Sequence, residues 1–305
     1  MKFAPSVSTI ARYLNEYRHL LTITRIRDEI FSTAPHFDPA SSQAKRLARD
    51  RYRPTNIIRT VRLYHRQIYE FALHRGKLDR LCRDREHTHL RGLVPYLETI
   101  ATSCPHDLFA GEHAGAVRAS SLAKDRATPA AYRALYDPRR VRVRQLQNAA
   151  TTIANFIVPT VGDNKARHPE LQRFFLACDS STIAVEIPIW LTEDDIIAIE
   201  KQYGRRLIPS TIDPVTDRPL PRSLTGHIDF LQIRNGALHI LDYKPGSRED
   251  RPTAQLTLYA LALSYLVSRV AAEYGLPPLK IFDIKCAWFD EHSYNEFFPR
   301  LVIKR

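Results

Sequence analysis

The chain has 305 residues, 44% of them hydrophobic, enough to bury one large core or two smaller ones, which excludes a disordered or fibrous protein. Its formal charge of +12 is unevenly placed: residues 1–150 carry 27 Lys+Arg against 14 Asp+Glu, a net of +13, whereas residues 151–305 carry 18 against 19, a net of −1. Because 23 of those 27 basic residues are arginines, whose planar guanidinium suits bidentate phosphate contacts, the asymmetry points to a polyanion, above all nucleic acid. The cysteines Cys82, Cys104, Cys178 and Cys286 form no C-x-x-C pair, so neither a zinc site nor a disulfide framework is indicated, and buried free thiols are expected. No run approaches roughly 18 uncharged apolar residues, and "MKFAPSVSTIARY" lacks the apolar centre of a signal peptide. The expectation is a cytoplasmic protein.

In chain order, residues 1–150 read as a mostly helical, arginine-rich region that binds nucleic acid. Apolar residues recur at helical spacing in "VSTIARYLNEYRHLLTITRIRDEI" and "NIIRTVRLYHRQIYEFALHRGKLDRL", with arginines between them. Arg59, Arg62, Arg66, Arg142 and Arg144 are the candidate phosphate contacts, and "PRRVRVRQLQNAATTIANFIVP" reads as the helix closing this region. From residue 151 to 305 the texture is that of a folded α/β core. "STIAVEIPIWL" is a strand carrying Glu186, "TEDDIIAIEKQYG" a short helix that Thr192 can cap, and "RRLIPSTIDPVTDRPLPRS" a proline-rich loop. A hairpin, "GHIDFLQIRNGALHILDYKPG", precedes the apolar helix "TAQLTLYALALSYLVSRVAAEYG", and "KIFDIKCAWFDEHSYNEFFP" closes as strand, turn and strand.

The hairpin carries the chemistry. If Asn235 and Gly236 form a two-residue type I′ turn, Arg234 pairs with Ala237, and counting back along both strands sets Asp229 opposite Asp242. Like charges so placed, with Cβ atoms about 4.5–5.5 Å apart, repel. Lys244 and His227 fall on the same face, beside the apolar Leu231, Ile233, Leu238 and Ile240. Opposed carboxylates at the edge of an apolar face suit a hard divalent cation, Mg²⁺ or Mn²⁺. On the following helix Gln255 and Tyr259, four residues apart, share one face.

"GHID", "DYK" and "AQLTLYALAL", in this order, resemble the PD-(D/E)XK nuclease superfamily, and within it the branch of RecB-type and Cas4-like exonucleases. The resemblance implies a restriction-endonuclease-like core, a central mixed sheet flanked by helices, here preceded by a large N-terminal helical region. It implies that Asp229, Asp242 and the backbone carbonyl of Tyr243 hold Mg²⁺ or Mn²⁺, that Lys244 acts on the attacking water or the developing charge, and that Gln255 and Tyr259 complete the site. The branch also places a histidine ligand on an upstream helix. His65, followed by Ile68 and Glu70, matches best, with His113 and His168 as rivals; Glu186 would stand near the metals. Pro245 replaces a small polar residue after the lysine, and the cysteine pattern of iron–sulfur members is missing, so no such cluster is expected. The implied function is a metal-dependent DNA nuclease, an exonuclease acting on ends or single strands. The alternatives are a non-catalytic nucleic-acid-binding or assembly subunit that keeps the fold, and a nuclease acting on RNA.

Overall fold

The computed structural model describes residues 57–65, 67–109, 116–119, 141–204, 207, 222–246 and 252–299. The first helical stretch expected near the N-terminus, Arg66, His113 and most of the proline-rich loop lie outside them.

Where one helix was expected over "NIIRTVRLYHRQIYEFALHRGKLDRL", the chain forms an antiparallel hairpin of β1 (Ile58–His65) and β2 (Gln67–His74), and helix begins only with α1 (Arg75–Arg83). The physical reason is a second period in the same residues. Leu63 and His65 point inward while Arg62 and Tyr64 point outward, a strand alternation in a segment rich in β-branched Ile58, Thr60 and Val61. His65 therefore stands on a strand, not on a helix. Further on come α2 (Leu93–Ser103), a 3₁₀ turn at His106–Phe109, and the short strands β3 (Ala116–Arg118) and β4 (Arg144–Leu146). The helix read over "PRRVRVRQLQNAATTIANFIVP" is shorter than expected: "RQL" is extended, and α3 (Ala149–Ile157) starts only where Asn148 accepts the N–H of Ala150.

Then follow α4 (Asn164–Cys178), β5 (Thr182–Leu191) and α5 (Glu193–Tyr203), whose N-terminus has the capping box of Thr192 and Asp195. The hairpin of β6 (Ser223–Arg234) and β7 (Ala237–Tyr243) turns at Asn235 and Gly236, both at positive φ (50° and 68°), as a type I′ turn requires. After it come the apolar helix α6 (Thr253–Glu273), β8 (Ile284–Phe289) and β9 (Tyr294–Phe297).

The strands form one mixed sheet in the order β1-β2-β5-β6-β7-β8-β9-β4, with β3 lying parallel to the start of β6. It draws strands from both sides of residue 150. Helix α6 makes the crossover between the parallel strands β7 and β8. On one face α2 and α6 bury Leu97, Ile100, Leu256 and Leu263 against Leu231, Ile233, Leu238 and Ile240; on the other, α3 and α4 bury Ala154 and Phe175 against Phe230, Leu241 and Phe289. Each fully buried leucine or phenylalanine contributes about 1.5–3 kcal/mol. Against the reading that no run approaches a membrane span, α6 has the length and hydropathy of one, but 67% of its apolar window is buried inside this fold, as suits a core helix. A central mixed sheet with helices on both faces is the restriction-endonuclease-like arrangement expected.

One feature of the sheet makes room for a site. Along its second edge β6 pairs with β3 only at Ser223–Thr225 and with β7 only from Phe230 to Arg234. Between them the two neighbours part, and residues 226–229 face the opening.

Candidate active site

The hairpin register runs as the turn dictates through the pair Phe230–Leu241 and stops one step short of Asp229 and Asp242. There the Asp229 carboxylate replaces the missing ladder partner, accepting the N–H of Tyr243 at 3.0 Å. Asp242, 2% exposed, is bracketed by Lys244, whose Nζ lies 2.9 Å from one carboxylate oxygen and 3.2 Å from the other. The backbone of Lys244 is anchored by its N–H to the carbonyl of Phe289. On the adjoining face of α6, Gln255 donates to the Tyr259 hydroxyl at 3.0 Å. Tyr259 lies so close to β6 that a Cβ on Gly226 would stand 2.5 Å from its ring, which is why a glycine is needed there.

Two further side chains complete the cluster. Glu186 projects from β5 at a residue with φ 50°, an unusual conformation for a non-glycine residue within a strand. His168, on α4, sets its Nε2 3.2 Å from Asp229. Gln172, one turn along, holds the pair together, its amide nitrogen 2.6 Å from Glu186 and 3.0 Å from His168. Ligand atoms of His168, Glu186 and Asp229 lie within 4.8 Å of one another.

The electrostatics of the cluster are those of crowded acids. Burial, then the charge of Asp229, pushes Glu186 up to about 7. Burial and Asp229 likewise push Asp242 up to about 7, against the pull of Lys244. For His168, burial disfavours the imidazolium, but the Asp229 carboxylate outweighs it, with Glu186 and Asp242 adding, and raises the group to about 9. Burial opposes ionisation of Asp229 as well, yet His168, Lys244 and the Tyr243 N–H hold it below the usual carboxylate range. Three acidic side chains and one imidazole crowded into one half-buried spot form a hard O/N donor set, which fits Mg²⁺ or Mn²⁺ and whose mutual repulsion such a cation would relieve.

The structure thus brings Asp229, Asp242, Lys244, Tyr243, Gln255, Tyr259 and Glu186 to one cleft of about 910 Å³. It does not bring His65 there. His65 is buried behind His227, its Nδ1 2.9 Å from His227 Nε2, while His168 occupies the position beside the acids. Gln172, Tyr69 and Arg118 also line the cleft and were not singled out from the sequence. Only Gln172 had a signal, its i, i+4 spacing from His168. The candidate phosphate-binding arginines are divided: Arg59 and Arg62 are exposed on β1 at one edge of the sheet, whereas Arg142 and Arg144 lie at or just before β4, at the opposite edge. Arg62 and Arg173 both pair with Glu70 at the cleft mouth, and Arg118 donates to Tyr69 at 2.9 Å.

A family model for the PD-(D/E)XK nuclease superfamily matches residues 106–282, more than half of the chain. No curated protein and no solved structure matches it.

Proposed function

Since the chain belongs to the PD-(D/E)XK nuclease superfamily, we propose that it is a Mg²⁺- or Mn²⁺-dependent deoxyribonuclease of the RecB-type and Cas4-like exonuclease kind. It would act in the cytoplasm on DNA ends or single strands. The observation that carries this reading is the convergence of Asp229, Asp242 and Lys244 in one cleft beside Glu186 and His168. Asp229, Asp242, Glu186 and His168, with the Tyr243 carbonyl, are the residues that would hold the cation. When bound, it polarises the phosphodiester and acidifies water.

The reaction is a displacement at phosphorus. A water oxygen forms the new bond and gives up one proton, the bond to the departing sugar oxygen breaks, and that oxygen leaves with the electron pair and takes up a proton, so that the elements of water are added across the bond. Lys244, whose Nζ lies 2.9 Å from a carboxylate oxygen of Asp242, faces the negative charge that grows on the phosphoryl oxygens. Gln255 and Tyr259, bonded to each other, set the wall against which the lysine and the DNA backbone are positioned. Basic residues at the cleft, Arg118, Lys165 and Arg173, together with Arg59 and Arg62 on β1, would contact flanking phosphates.

The test is cleavage of linear, circular, single-stranded, double-stranded and end-blocked DNA, and of RNA, with Mg²⁺ or Mn²⁺. Wild-type chain is expected to degrade DNA with free ends, and Lys244→Ala and Asp242→Ala to lose cleavage by more than about 100-fold while keeping the circular-dichroism spectrum. Wild-type chain that leaves every substrate intact with Mn²⁺ would make it a binding subunit instead; cleavage of RNA alone would make it a ribonuclease.

A further inference from the structure

A second cluster of ligating side chains lies behind the wall of the cleft, and the sequence spacing of its members conceals it. It joins three elements: His65 at the end of β1, Cys104 at the C-cap of α2 and His106 in the 3₁₀ turn that follows. His65 Nε2 is 3.0 Å from His106 Nδ1 and 3.7 Å from Cys104 Sγ. Ligand atoms of all three lie within 4.8 Å of one another. A tetrahedral zinc ion, with Zn–N about 2.0–2.1 Å and Zn–S about 2.3 Å, requires N···N edges of about 3.3 Å and N···S edges of about 3.6 Å. The two separations from His65 Nε2, 3.0 Å and 3.7 Å, are within a few tenths of an ångström of those edges.

We propose that His65, Cys104 and His106 form a Zn²⁺ site separate from the acidic cluster, with three protein ligands and a fourth position open to water. The donor types discriminate between the two sites. Two imidazoles and a thiolate are borderline-soft ligands that favour zinc, whereas the carboxylates around Asp229 favour Mg²⁺ or Mn²⁺. The surroundings are also those of a built site. Phe109 stacks on the His65 ring at 3.8 Å and 14°, fixing its plane, and Cys104 and His65 are buried while His106 is exposed, which leaves a path for the ion to enter.

The remaining nitrogen of His65 has a partner suited to a metal ligand. With Nε2 turned to zinc, Nδ1 carries the proton and donates it to His227 Nε2 at 2.9 Å, the outer hydrogen bond that orients metal-bound histidines. His227 in turn stacks on Tyr69 at 3.7 Å and 7°, two residues before Asp229. Zinc here would brace the cleft wall by tying β1, α2 and the 3₁₀ turn together.

The experiment is a Co²⁺ titration of metal-free full-length chain in excess Mg²⁺, which keeps the acidic cluster supplied with its own kind of ion. One equivalent is expected to give a near-ultraviolet thiolate-to-cobalt charge-transfer band that Zn²⁺ abolishes. The band is expected to vanish in Cys104→Ser and to persist in Asp229→Asn. His106→Ala, at an exposed position that does not threaten folding, is expected to weaken Co²⁺ binding by more than the roughly 10–100-fold that loss of an outer-sphere partner costs. Should Cys104→Ser fail to fold, His106→Ala decides. No thiolate band at saturating Co²⁺, a band that survives Cys104→Ser, or unchanged affinity in His106→Ala would each overturn the proposal.

Discussion

Gly226→Ala is the smallest substitution that tests how α6 is fitted to the sheet. The added Cβ would stand 2.5 Å from Cε1 of Tyr259 and 3.0 Å from both Cζ and Oη, where ordinary contact begins at 3.4 Å. The ring would have to withdraw by about 1 Å to reach ordinary separation. It has little room, being 4% exposed in the core and tied by its hydroxyl to Gln255 at 3.0 Å. Overpacking of this kind costs about 1–3 kcal/mol, partly offset by the roughly 0.4–1 kcal/mol that alanine gains over glycine through the unfolded chain. The net expectation is a loss of about 1–2 kcal/mol. Tyr259→Leu alone should also destabilise, by about 2–3 kcal/mol, from lost ring burial and a broken hydrogen bond. In the double variant the clash is gone, so the combined loss should fall short of the sum by about 1 kcal/mol or more. Equilibrium urea unfolding of the four proteins, followed by circular dichroism, measures the cycle. Losses that add to within about 0.3–0.5 kcal/mol would refute the close approach of Tyr259 to β6.

The two histidines should separate cleanly: His168→Ala is expected to weaken Mn²⁺ binding at the acidic cluster by more than the roughly 10–100-fold that loss of an outer-sphere partner costs, and His65→Ala to leave it unchanged, both read by calorimetric titration. Acid should destabilise the fold through His74, held near about 3 by burial and then Lys77, and His239, held near about 2 by burial and then Arg234. Because their folded values lie below the unfolded 6.5, the stability they contribute is complete above pH 6.5 and is lost as pH falls below it, by about 1.4 kcal/mol for each at pH 5.5. His239→Gln should therefore reduce the difference in unfolding free energy between pH 7.5 and 5.5 by about that amount; an unchanged difference would count against a buried neutral histidine. Thr192→Ala should cost about 1 kcal/mol in urea melts by removing the capping box of α5. Arg59→Glu with Arg62→Glu should weaken DNA binding and flatten its salt dependence, measured by fluorescence anisotropy, whereas Arg144→Glu on the far edge of the sheet should change neither.

Local signals made much of the hairpin site readable. Asn235-Gly236 specifies a two-residue turn, the turn specifies the register as far as Phe230 and Leu241, and a period of two then sends Asp229, Asp242 and Lys244 toward one spot although the ladder itself stops one step short of the aspartates. Gln255 and Tyr259 follow from helical spacing, and Thr192 from its acidic first turn. The stretch from Ile58 to His74 misled because its apolar residues satisfy both 3.6 and 2.0, and only pairing with β5 through Ala72 and Leu73 selects the strand.

What the sequence determined by itself is the set of features governed by residues close along the chain: turn, register, caps, the apolar face of α6 and the carboxylate pair they imply. Which histidine meets Asp229 was decided elsewhere. His168 arrives because α4 packs its Leu171 and Phe175 face on the sheet, and His65 is drawn to Cys104 and His106 because β1 runs past the end of α2. Such meetings depend on which elements stack across a sheet, and that choice is made by the burial of whole apolar faces. No spacing between two residues records it.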